Sequence, residues 1–130
     1  IDQELSADAA LPVDGLGCLP YTATKEPECV LYLNRHGGLL ISCDSLQDWS
    51  DYSQCTWLSR WILPRMGFEK RVLIGPIWKK RFSVDDTLLK QNFETILALD
   101  FKHFVAAHGG YRLHDASEHV GAAIAKSFAS

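Results

Sequence analysis

The sequence predicts a mixed α/β layer, an α+β fold in which a sheet is backed by helices on one face. Three observations predict it. Two apolar runs joined by a glycine-containing turn form a hairpin over residues 28–43, a third apolar run ends at His108, and three stretches carry apolar residues at helical spacing. With 130 residues the chain reads as one domain, residues 1–130. That is enough for a real core but short for two sheets with helices outside, which take about two hundred residues.

Composition narrows the function classes. Apolar residues make up 47% and charged residues 22%, ordinary for a folded chain. No apolar run approaches the roughly 20 residues needed to span a bilayer, so no membrane partner is expected. A net charge of -3 and a pI near 5.9, with scattered bases, give no footprint for nucleic acid. The basic cluster Lys79-Lys80-Arg81 is read as a solvated loop rather than a phosphate site.

Taken in order, residues 1–17 are acidic, with Pro12 and two glycines, and read as a loose N-terminal segment or one irregular edge strand. Residues 18–27 follow as a turn-rich stretch in which Glu26 is the only plausible ligand for a hard cation, and a surface position before Pro27 is preferred for it. Glu28 to Asn34 and Leu39 to Cys43 are strands, joined by Arg35-His36-Gly37-Gly38. Both are apolar at consecutive positions, so both of their faces are expected to be covered, as inside a layered sandwich. Asp44 stands where the backbone leaves the second strand, a usual place for a site.

Residues 51–63 are expected to be a helix capped by Asp48 or Ser50, with Cys55, Leu58, Trp61 and Ile62 at helical spacing, closed by Pro64 and Gly67. Trp61 is read as packing on the sheet. Trp49 and Trp57 fall off that stripe, so a wall beside Asp44 or a partner-binding face stays open for them. Residues 71–76 form a short strand broken at Gly75-Pro76, and Trp78 to Arg81 a loop. Ser83 caps a helix over residues 84–98, with Asp86 at its third position and an apolar stripe through Val84, Leu88, Leu89, Phe93, Ile96 and Leu97. A strand from His103 to Ala107 delivers His108 and Gly109-Gly110, and a last helix spans about residues 115–128. His103, His114 and His119 are read as surface residues.

The hairpin, the apolar strand, and Asp44 followed by a small residue and Leu46 resemble the fourth motif of the metallo-β-lactamase-like superfamily. The run Phe104 to Gly109, an apolar strand ending in His-Gly, is similar to the fifth motif. The resemblance covers roughly Leu31 to the C-terminus. It implies half of an αββα sandwich, with Asp44 and His108 as ligands of zinc or another divalent metal. It also implies further ligands from a His-x-His-x-Asp-His motif and a third-motif His, and this sequence contains neither. Two ligands leave such an ion weakly bound, so the site is expected to be incomplete, and whether the chain is an enzyme stays open.

Two functions are carried forward. One is a non-catalytic half-sandwich that associates through its exposed sheet face, with a homodimer as the expected assembly. The other is the C-terminal half of a metal-dependent hydrolase that is active only with its missing N-terminal half. Cys18, Cys29, Cys43 and Cys55 show no paired metal-site spacing and read as reduced, which points to a cytoplasmic setting, with a Cys29–Cys43 cross-strand bridge as the open alternative. No signal-peptide pattern is visible, and a first residue of Ile rather than Met reads as trimming or as part of a longer product.

Overall fold

A computed structural model describes residues 6–8 and 10–129. Seven strands and four helices follow in chain order: β1 (Leu16–Pro20), β2 (Cys29–Leu33), β3 (Leu39–Ser42), β4 (Leu46–Asp48), α1 (Trp57–Ile62), β5 (Val72–Ile74), α2 (Pro76–Phe82), α3 (Asp86–Leu97), β6 (His103–Ala106), β7 (Tyr111–Arg112) and α4 (Ala116–Ser127). Five strands form a mixed sheet in the order β1-β2-β3-β6-β7. Only β3 and β6 run parallel, with Leu40 beside Phe104 and Ser42 beside Ala106; the other neighbours are antiparallel. The second ladder pairs β4 with β5, Leu46 opposite Ile74. The fold is therefore α+β, as the periodicities predict.

The hairpin is central, and its turn works through backbone geometry. His36, Gly37 and Gly38 all take positive φ, at 53°, 92° and 88°, the region in which glycine carries no Cβ penalty. Alternation along the strands then sorts the side chains. Val30, Leu40 and Phe104 point to one face and are fully buried against Leu89, Phe93 and Ile96 of α3 and Val120, Ala123 and Ile124 of α4. Tyr21, Trp78 and Phe93 interlock at that centre, with ring centroids 5.2 to 6.2 Å apart.

The opposite face corrects an expectation. Leu31, Leu33, Leu39 and Ile41 are half-buried and lie outside the core, so among the described residues the core covers β2 and β3 on one side. The crossover from β3 to the parallel β6 carries α2 and α3 with it, and α4 returns to the same side.

Several boundaries also differ. The expected loose segment ends sooner, because β1 pairs with β2 from Leu16 onward; its residues 1–5 and 9 lie outside the described residues. Residues 51–63 are not one sheet-packed helix. α1 has six residues, is capped by the Thr56 hydroxyl, and buries none of its side chains; Trp61 is exposed. Asp48 is in strand rather than at a cap, because β4 finds its partner β5 across a long loop. Pro76, read as a break, sits at the first position of α2, where its missing N–H costs nothing. α3 is capped by Asp85, whose side chain accepts from the Thr87 and Leu88 amides at 2.8 and 2.9 Å. Val84 and Leu88 fall outside the buried stripe as a result.

Candidate functional site

The parallel pairing of β3 with β6 ends both strands at the same sheet edge, and the next residues to leave it include Asp44 and His108. Their side chains meet. His108 Nε2 lies 2.6 Å from Asp44 Oδ1, with about half of each side chain exposed. Nothing in the sequence distance of 64 residues requires this contact; the shared strand ends do.

The loop bearing His108 is clamped by backbone. The Asp48 amide donates to the His108 carbonyl at 3.2 Å, and the Gly110 amide donates to the Asp48 carbonyl at 2.8 Å. Gly109, at φ +93°, lies so close that a Cβ there would collide with the Asp48 carbonyl. Asp48 is itself 3% exposed. Its carboxylate accepts from the Ser50 amide at 3.0 Å and from the Ser50 hydroxyl, and it faces Arg112 Nε at 3.4 Å as an ion pair. Arg112 also donates to the Ser50 hydroxyl at 2.5 Å and lies 3.1 Å from His119 Nε2. His119 is thereby part of a network tying α4 to β7 rather than a bare surface histidine; its ring lies 3.2 Å from Asp115.

On the Asp44 side, the Ser45 amide donates to Glu28 Oε1 at 3.0 Å, and the Trp78 indole N–H donates to the other Glu28 oxygen. Gln47 donates to the Asp44 carbonyl at 2.9 Å and accepts from the Trp49 indole N–H at 2.8 Å. Behind them the Tyr21 hydroxyl donates to Ser45 Oγ at 2.9 Å, and burial pushes that phenol well above its ordinary range. Both indole donors are thus turned into the protein, which leaves ring surface facing a cleft of about 380 Å³ that also holds Asp44, Ile77, Arg81 and His108. Trp49 is the wall beside Asp44 that stood as one of its two readings. Trp57 is not part of the cleft lining.

Glu28, Trp78 and Arg81 are site residues that sequence reasoning missed. Glu28 opens a predicted strand and gave no motif, and the apolar walls come from three separate segments. Glu26, the carboxylate weighed as a ligand, is exposed. His103 sits at the far end of β6, its Nε2 3.0 Å from the His36 carbonyl and its ring 5.0 Å from that of His114.

The resemblance implies a divalent metal between Asp44 and His108. Among the described residues, no group of three or more His, Cys, Asp or Glu side chains is placed to hold an ion, and zinc sites use three or four protein ligands. The two donors also touch each other, so an ion would have to part them. The donor set does not fit a complete metal centre. No family model and no curated protein matches the chain.

Proposed function

We propose that this chain is one helix-backed layer of a metallo-β-lactamase-like sandwich and acts as an association module, without hydrolase turnover by itself. One observation carries the reading: the sheet face turned away from the helices presents apolar side chains in strand register that no described helix covers, interrupted by His103 beside Leu39 and closed over at Cys18, which is buried beside Leu31. Leu16, Leu33 and Leu39 lie side by side in one row, and Leu31, Ile41, Val105 and Tyr111 in the next. The helices bury the other face.

A second copy is the proposed cover, packing sheet on sheet about a twofold axis. At about 4.8 Å per strand and 3.3 Å per residue, the two rows and their neighbours span on the order of 24 by 16 Å. That footprint is small beside the ~800 Å² per partner of standard interfaces, so a concentration-dependent dimer in the micromolar range is expected. Light scattering from about 1 to 100 μM should approach twice the 14.6 kDa chain mass. Leu31→Glu with Ile41→Glu should hold it at one chain mass with unchanged far-UV dichroism. A wild-type monomer throughout that range would sink the reading.

The Asp44–His108 contact favours a second reading, in which this layer contributes two ligands to a hydrolase centre completed by the other half. Elemental analysis separates the two. The chain as it stands should retain no stoichiometric zinc or manganese after dialysis. Retained metal, with turnover lost in Asp44→Ala and His108→Ala, would select the hydrolase.

A further inference from the structure

The short helix α1 is mounted opposite to an ordinary amphipathic helix. Its polar side is fastened to the protein: the Ser59 amide donates to the Thr56 hydroxyl at 3.2 Å, Arg60 Nε donates to the carbonyls of Tyr52 and Cys55, both at 3.1 Å, and Arg60 Nη2 to that of Ser53 at 3.0 Å. Its apolar side faces solvent. Trp57 is 81% exposed and Trp61 58%, and with Leu58 and Ile62 they form one stripe at i, i+1, i+4 and i+5, so Trp57 joins the stripe that the sequence expectation placed it off. Met66, in the 3-10 turn that continues α1, and Ile77, on α2, extend the exposed surface. Met66 and Ile77 share a groove with Lys80 and Arg81, and the Arg65 guanidinium lies 3.9 Å over the Trp61 ring.

Charge is segregated along the chain in the same segment. Residues 56–82 carry seven Lys and Arg against one acid, Glu69, a net of +6 in a chain whose total is -3. The remainder of the chain is therefore net -9. Of these bases, Arg65, Lys80 and Arg81 stand beside the exposed apolar side chains, whereas Arg71 and Lys79 pair with Glu69 and Asp86.

We propose that this surface docks the protein on an anionic phospholipid bilayer as a peripheral contact. Indole rings sit at the headgroup level, Leu, Ile and Met side chains reach the acyl boundary, and Lys and Arg are drawn by anionic lipid. Six residues of helix are about 9 Å long, enough to lie in the interface and far too short to cross it. No helix among the described residues is long and apolar enough to cross a membrane. The expectation of no membrane partner rested on that kind of span, which an interfacial contact does not need. The proposal is independent of the sandwich reading, because it uses neither the sheet face nor the Asp44–His108 pair.

Flotation with lipid vesicles tests it, using phosphatidylcholine with about 30% phosphatidylglycerol and phosphatidylcholine alone, at ~0.1 and ~0.5 M NaCl. The protein should float with the anionic vesicles at low salt, with blue-shifted tryptophan emission, and partition at least about tenfold less to neutral vesicles or at high salt. Trp57→Ser with Trp61→Ser, and separately Arg65→Glu with Lys80→Glu, should each weaken flotation at least about tenfold while far-UV dichroism is unchanged. Absence of flotation at every lipid concentration overturns the proposal, and so does undiminished binding by either double variant. A lipid-free mass doubling that Trp57→Ser with Trp61→Ser abolishes would also overturn it, making the patch a contact between copies of the chain.

Discussion

Replacing Gly109 by alanine tests how the His108 loop is held. The residue sits at φ +93°, and a Cβ built there meets the Asp48 carbonyl oxygen. Left-handed backbone costs an alanine about 1–2 kcal/mol. Relieving the collision must also stretch the two hydrogen bonds that bracket the position, Asp48 amide to His108 carbonyl and Gly110 amide to Asp48 carbonyl. Each contributes about 0.5–1.5 kcal/mol. The sum is about 3 kcal/mol, a population shift of more than a hundredfold toward the unfolded chain. Gly110 is the internal control: its Cβ would stand 3.9 Å from the same oxygen, in ordinary contact, so Gly110→Ala should change stability by under ~1 kcal/mol. Urea unfolding of both variants at one protomer concentration measures the difference. In parallel, the chemical shifts of the His108 ring should move in Gly109→Ala, because the loop carries the imidazole away from Asp44. A Gly109→Ala protein within 1 kcal/mol of wild type, with His108 unshifted, would refute the clamp.

Phe93 is fully buried among Tyr21, Trp78 and Phe128, so Phe93→Ala should destabilise by about 3–5 kcal/mol in the same assay. The carboxyls of Asp51, Glu69 and Asp86 are all held below their ordinary range, chiefly by the Ser53 hydroxyl, the Lys126 ammonium and the Ser83 hydroxyl respectively. A folded pKa below the unfolded one stabilises above the unfolded value and ceases to do so as pH falls through the folded value. The urea midpoint should therefore drop as pH is lowered below about 4, and Glu69→Gln and Asp86→Asn should each flatten that decline. Burial, with a hydrogen bond to the Cys18 thiol next, pushes the Cys29 thiol up to about 12. Iodoacetamide at pH 8 should leave Cys29 unmodified in the folded protein and alkylate it in urea, read by peptide mass mapping.

Local signals were enough to read the hairpin, since glycines at a positive-φ turn between two apolar runs have few other uses. They were enough for helix α4 and for Leu89, Phe93 and Ile96 on α3; the meeting of Asp44 with His108 was expected from the family resemblance and comes about because β3 and β6 run parallel and end together. What the chain order could not reveal is whatever depends on a distant partner. Strand β4 has three residues and becomes a strand only against β5, whose Ile74 lies 28 positions beyond its opposite Leu46. Glu28 looked like the start of a strand and became a site residue because Ser45 and Trp78 arrive from elsewhere with N–H groups to donate. Helix α1 shows the limit most plainly. Its periodicity marks a stripe of Trp, Leu and Ile, and a stripe says which side chains share a face without saying what lies against them. Packing decided that: the Arg60 contacts anchor the polar side, the crossover helices fill the space over the sheet, and the tryptophans are left in water.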